Sequence, residues 1–137
     1  MKKTKGNSGN AELNEKLVDA INAKDLSKVK DLVANGADVN FKHPTGWTAL
    51  NFAVAAESLE ISDFLISKGA DVNAANIDGY TALMLASERG NLPLVNLLLS
   101  KNANVNAKEN SGEASLVKAE RSNNQQVVDA LKKKGAK

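Results

Sequence analysis

The chain has 137 residues, no cysteine, one histidine and a formal net charge of +2. These values exclude disulfides, cysteine-ligated metal centres and any site built on paired histidines. A balance so close to neutral also argues against a dedicated nucleic-acid binder. Aromatic residues make up 4% of a sequence that is 42% hydrophobic, so the core has to be built from Ala, Val, Leu and Ile.

In chain order, Met1-Lys2-Lys3-Thr4-Lys5 resembles the basic start of a secretory signal, but Gly6-Asn7-Ser8-Gly9-Asn10 stands where the apolar stretch should follow. Residues 1–10 are therefore expected to form a flexible tail. No run of 18 apolar residues is present, so no membrane-spanning helix is expected. The lack of cysteine fits the cytoplasm. A periplasmic or secreted chain whose signal has been removed is the alternative.

From residue 11 onward the sequence repeats every 33 residues. Leu17, Leu50, Leu83 and Leu116 keep this step, as do Ala20, Ala53, Ala86 and Ala119, and Leu32, Leu65, Leu98 and Leu131. Gly46, Gly79 and Gly112 form another column, and Val39-Asn40, Val72-Asn73 and Val105-Asn106 a further one. Such self-similarity is the mark of a stacked-repeat architecture. The units are 11–42, 43–75, 76–108 and 109–137.

The unit 43–75 shows the shared pattern. Thr45-Gly46 signals a turn. Thr48 is placed to cap a first helix over Ala49–Ala56, with Leu50, Ala53 and Val54 at helical spacing. Ser58 starts a second helix whose apolar face holds Ile61, Phe64 and Leu65. Gly69 ends it, since a left-handed residue costs glycine little. In the next unit Pro93 falls in the first turn of the second helix, where its missing N–H is harmless. Asn102 takes the glycine's place there. In the last unit Ala114 replaces the capping Thr. One such unit buries too little to fold alone, whereas a stack of four shares a continuous core.

The segments Thr45-Gly46-Trp47-Thr48-Ala49-Leu50 and Lys68-Gly69-Ala70-Asp71-Val72-Asn73 resemble an ankyrin repeat. Asp78-Gly79-Tyr80-Thr81-Ala82-Leu83 with Lys101-Asn102-Ala103-Asn104-Val105-Asn106 repeats the likeness. Residues 11–42 resemble an N-terminal cap and 109–137 a C-terminal cap. The resemblance implies an all-α solenoid of helix–turn–helix units joined by β-turn tips. It departs from the family pattern where Asn51 and Met84 stand in place of the usual histidine. Inter-repeat hydrogen bonding is then expected to be weaker, or to be carried by Asn51.

The resemblance also implies a non-catalytic module that binds a protein partner through its concave face and loop tips, acting as a monomer. The tip positions are Pro44, Thr45 and Trp47, then Ile77, Asp78 and Tyr80, then Asn110, Ser111 and Glu113. The first helices add Ala55 and Ala56, Glu88 and Arg89, and Arg121 and Ser122. Trp47 and Tyr80 are 33 residues apart and are expected to stack as neighbours, a natural hot spot. Glu57, Glu60, Asp63 and Asp71 against Lys68 leave residues 43–75 at −3, between flanks of positive balance.

Two alternatives follow. One is a dedicated inhibitor or regulator of an enzyme or toxin. The other is weak nucleic-acid or anionic-surface binding through the lysine-rich ends, such as Lys132-Lys133-Lys134. Those lysines also suit the negative end of a helix. No catalytic residue, cofactor site or metal site is expected. His43, the only imidazole, precedes Pro44 in a turn and reads as a solvent-exposed turn residue.

Overall fold

The computed structural model describes the backbone of residues 7–137 and the side chains from Ala11 onward. Eight helices run through the described residues: α1 Asn7–Asn22, α2 Leu26–Ala34, α3 Ala49–Ala55, α4 Leu59–Ser67, α5 Ala82–Glu88, α6 Leu92–Ser100, α7 Ser115–Arg121 and α8 Gln125–Lys133. They form four antiparallel pairs. The first helices pack in one row, α1 on α3 on α5 on α7, and the second helices in another, α2 on α4 on α6 on α8. This is the all-α solenoid expected from the period. The backbone is already helical at Asn7, inside the stretch expected to be a tail, while residues 1–6 lie outside the described residues.

The repeating columns build the core. Leu17, Leu50, Leu83 and Leu116 are all buried, as are Ala20, Ala53, Ala86 and Ala119. Small alanines let neighbouring helices come close, and the leucines fill the space between the rows. The stack thus needs few aromatic rings.

Capping sets the element boundaries. Thr48 and Thr81 cap α3 and α5 by accepting from the backbone N–H of Asn51 and Met84. Asp25, Ser58, Asn91 and Asn124 do the same for the four second helices. Ala114 precedes α7 with no side-chain cap, as expected of a residue lacking an acceptor. Past α6, Asn102 takes φ 66°, filling the left-handed role that Gly69 fills at 96° past α4.

Asn51 does not link repeats. Its carboxamide oxygen accepts from Thr48 N–H at 2.9 Å, which closes a capping box inside its own repeat. Other asparagines link the repeats, in the loops that follow the second helices. Asn40 donates to the carbonyl of Gly69 at 3.0 Å and accepts from Asp71 N–H at 2.9 Å. Asn73 accepts from Asn104 N–H at 2.8 Å. Asn106 donates to Gly135 and accepts from Lys137 N–H. One asparagine per step thus staples each loop to the next.

Candidate functional site

A tight hairpin tip precedes each of α3, α5 and α7. His43 N–H donates to Trp47, Asn76 N–H to Tyr80 and Glu109 N–H to Glu113, at 2.9 to 3.0 Å. Three different side chains hold these tips, each accepting from the N–H two residues on. The Asn76 carboxamide oxygen accepts from the N–H groups of Asp78 and Tyr80. A Glu109 carboxylate oxygen accepts from those of Ser111 and Glu113. At the first tip the His43 ring nitrogen Nδ1 meets Thr45 N–H and hydroxyl. His43 is therefore half-buried and occupied locally, rather than the freely exposed turn residue expected.

The tips also bond to one another. Ile77 N–H donates to the Thr45 carbonyl at 3.2 Å, and Asn110 N–H to that of Asp78 at 2.9 Å. Asn110 adds a side-chain bond to the Ile77 carbonyl at 3.1 Å. Gly46, at φ +85°, lies so close to the second tip that a Cβ would meet Ile77 N at 2.8 Å. Only glycine suits that position, by backbone conformation and by space.

The candidate residues separate into two clusters. In the first, Trp47 lies on Phe52 with ring centroids 5.2 Å apart, and His43 meets the same ring edge-on at 5.5 Å. Together with Thr45, Asn76, Ile77 and Asp78 they border a groove of about 460 Å³. Pro44, Thr45 and Asp78 are exposed, and Ile77 is 71% exposed. Ala55 and Ala56 are half-buried at the end of α3.

The second cluster is ionic. Lys118 on α7 is 1% exposed, and its Nζ donates to Tyr80 Oη at 2.8 Å, Glu113 Oε1 at 3.3 Å and Glu109 Oε2 at 3.4 Å. Arg121 grips Glu113 through both terminal nitrogens at 2.6 and 3.2 Å. Tyr80 Oη donates to Glu88 at 3.4 Å. Burial opposes the Lys118 charge, but the Tyr80 hydroxyl and the Glu113 carboxylate outweigh it, so its pKa lies above the ordinary lysine value. This ammonium stays protonated and is no nucleophile.

Trp47 and Tyr80 consequently do not stack. Trp47 turns to Phe52 within its own repeat, whereas the Tyr80 ring carries the Lys118 ammonium 4.4 Å from its centroid. Of the remaining candidates, Arg89 pairs with Glu57 at 3.5 Å between largely solvated side chains, a contact of small energetic weight. Ser111 is exposed and its hydroxyl donates to Glu109. Ser122 donates to the carbonyls of Ala119 and Ser87, which joins α7 to α5.

Phe52 and Lys118 were not among the candidates. They occupy one column of the period, with Leu85 between them. The periodicity could have placed them together, although their contacts depend on what the neighbouring tip offers.

Among the described residues, no cluster of three or more histidine, aspartate and glutamate side chains could hold a metal ion. No helix there is long and apolar enough to cross a membrane.

No curated protein matches the chain. The family model for ankyrin repeats in three copies matches residues 17–109. That span ends before the fourth helix pair, yet α7 and α8 continue the same two rows. Given the helix pairs, the bonded hairpin tips and this match, the chain belongs to the ankyrin-repeat family, whose repeats are protein–protein interaction modules.

Proposed function

We propose that the chain is a non-catalytic monomer that binds another protein through its tips and the open side of its first helices. The observation that carries this is Ile77. Its backbone N–H and carbonyl are bonded to the tips on either side, while its side chain is 71% exposed beside the Trp47–Phe52 groove. An apolar side chain on a backbone already fixed spares the cost of ordering that backbone on binding, and burying it is favourable.

The face extends through Pro44, Thr45, Trp47, Ala55 and Ala56, then Asp78, Glu88 and Arg89. It continues to Asn110, Ser111, Arg121 and Ser122. Tyr80 and Glu113 support it from below through Lys118. A dedicated inhibitor of an enzyme or toxin would use the same face on a single partner.

Hydrogen exchange of the complex with a partner captured by the full chain tests the reading. Protection is expected at residues 43–47 and 76–80. Protection confined to α4 and α6 would refute it.

A further inference from the structure

We propose that the groove at the first two tips accepts a segment of another protein in which a large apolar side chain is flanked by lysine or arginine. This rests on the binding reading above and specifies the partner's chemistry. Two grooves meet at His43. One is the apolar groove of Trp47, Phe52 and Ile77, of about 460 Å³. The other, of about 300 Å³, lies between α1 and the first tip, lined by Glu15, Val18 and Asp19 of α1 and by Phe41, His43 and Pro44. The larger falls within the range of about 300–1,000 Å³ usual for binding pockets.

The carboxylates that line this double groove are Glu15, Asp19 and Asp78, and no lysine or arginine lines it. Glu15 and Asp19 are exposed and one helical turn apart on α1, where like charges repel. Asp78 lines the apolar groove. None of the three forms an ion pair among the described residues. Lys16 follows Glu15 and Lys42 precedes His43, and both are exposed, but neither lines either groove. A cation brought by the partner beside Asp19 would relieve the repulsion while its apolar neighbour covers Ile77 and Trp47. An anionic segment would add to the repulsion, which is how such a site selects.

The test is an NMR titration of the ¹⁵N-labelled full chain with three short peptides. The first carries Lys-Arg followed by Leu-Phe. The second replaces Lys-Arg by Glu-Glu, and the third replaces Leu-Phe by Ser-Ser. The first is expected to shift the amides of Asp19, Trp47 and Ile77 with a sub-millimolar Kd, and the others to bind at least about tenfold more weakly. The double variant Glu15→Lys, Asp19→Lys should reverse the preference between the basic and acidic peptides. Ile77→Ser should lose the first peptide while melting normally.

Equal binding of basic and acidic peptides overturns the proposal, as does the absence of shifts at about 1 mM peptide. The full-length variant Lys2→Ser, Lys3→Ser, Lys5→Ser tests the chain's own N-terminus. If the amides of Asp19 and Trp47 move in that variant without peptide, the chain itself fills the groove and the proposal fails. Loss of the charge preference with shifts still at Trp47 and Ile77 would remove only the partner chemistry. A captured partner that protects only α4 and α6 would remove the binding face as well.

Discussion

Lys118 donates to the Tyr80 hydroxyl at 2.8 Å across 38 positions of sequence, and this contact clamps the last repeat to the one before it. The ammonium is buried, yet all three of its donor positions are met, by Tyr80, Glu109 and Glu113. Lys118→Ala removes the ammonium partner of Glu109, leaves Glu113 with Arg121 alone, and opens a void. We expect a loss of about 2–3 kcal/mol, below the range for a fully buried pair because Glu113 keeps 31% exposure. Hydrogen exchange should quicken in α7 and α8 while α3 is unchanged.

The same cluster makes stability depend on acid. The Ser111 hydroxyl and the Glu113 N–H hold the Glu109 carboxyl at about 2, against an ordinary 4.5. Arg121 and Lys118 lower that of Glu113 as well. A folded pKa below the unfolded one gives stability that is complete above pH 4.5 and is lost as the pH falls towards about 2. Thermal melts followed by circular dichroism should show this decline. Glu109→Gln should melt lower at pH 7 and give a flatter pH profile.

Ala114 stands where the two preceding repeats place a capping threonine, and it is buried to a similar degree. Ala114→Thr should restore the missing acceptor for α7. A gain of about 0.5–1.5 kcal/mol is expected from an added N-cap. Calorimetry should read it as a rise of about 2–5 °C in Tm.

Ser62 lies in a column otherwise made of Val29, Val95 and Val128, and its hydroxyl is buried without a hydrogen-bond partner. Ser62→Ala removes the unpaired group and favours the helix. The chain should gain about 0.5–1.5 kcal/mol, measurable by urea unfolding.

Leu83 and Ile77 are both aliphatic, but their surroundings differ completely. Leu83 is 1% exposed at the centre of the stack, so Leu83→Ala should cost about 2–5 kcal/mol. Ile77→Ser should change stability by no more than about 0.5 kcal/mol. Equal losses in denaturant titrations would mean that Ile77 supports the fold and is not displayed for a partner.

Much of the architecture was legible in the sequence because it is local. Thr48, Thr81, Ser58 and Asn102 each act on backbone within a turn of themselves, so residue type and spacing suffice to place them. What was not legible depends on the neighbouring repeat. Lysine at position 118 reads as solvated until Tyr80 and Glu109 are seen to enclose it. Trp47 and Tyr80 share a register position, yet Phe52 in one repeat and Lys118 beside the other draw them apart. His43, Asn76 and Glu109 share one task with no chemical likeness to reveal it.

The staples of Asn40, Asn73 and Asn106 bond almost wholly to main chain, and main chain is common to every amino acid. Cohesion between neighbouring units is therefore largely indifferent to which side chains the open surface displays. Substitutions at Pro44, Thr45 or Ile77, whose side chains make no bond to a neighbouring repeat, can accumulate without loosening the stack. Such a molecule can change what it recognises while keeping its form, and a unit could be duplicated or deleted at these seams with the same asparagine bonds made anew.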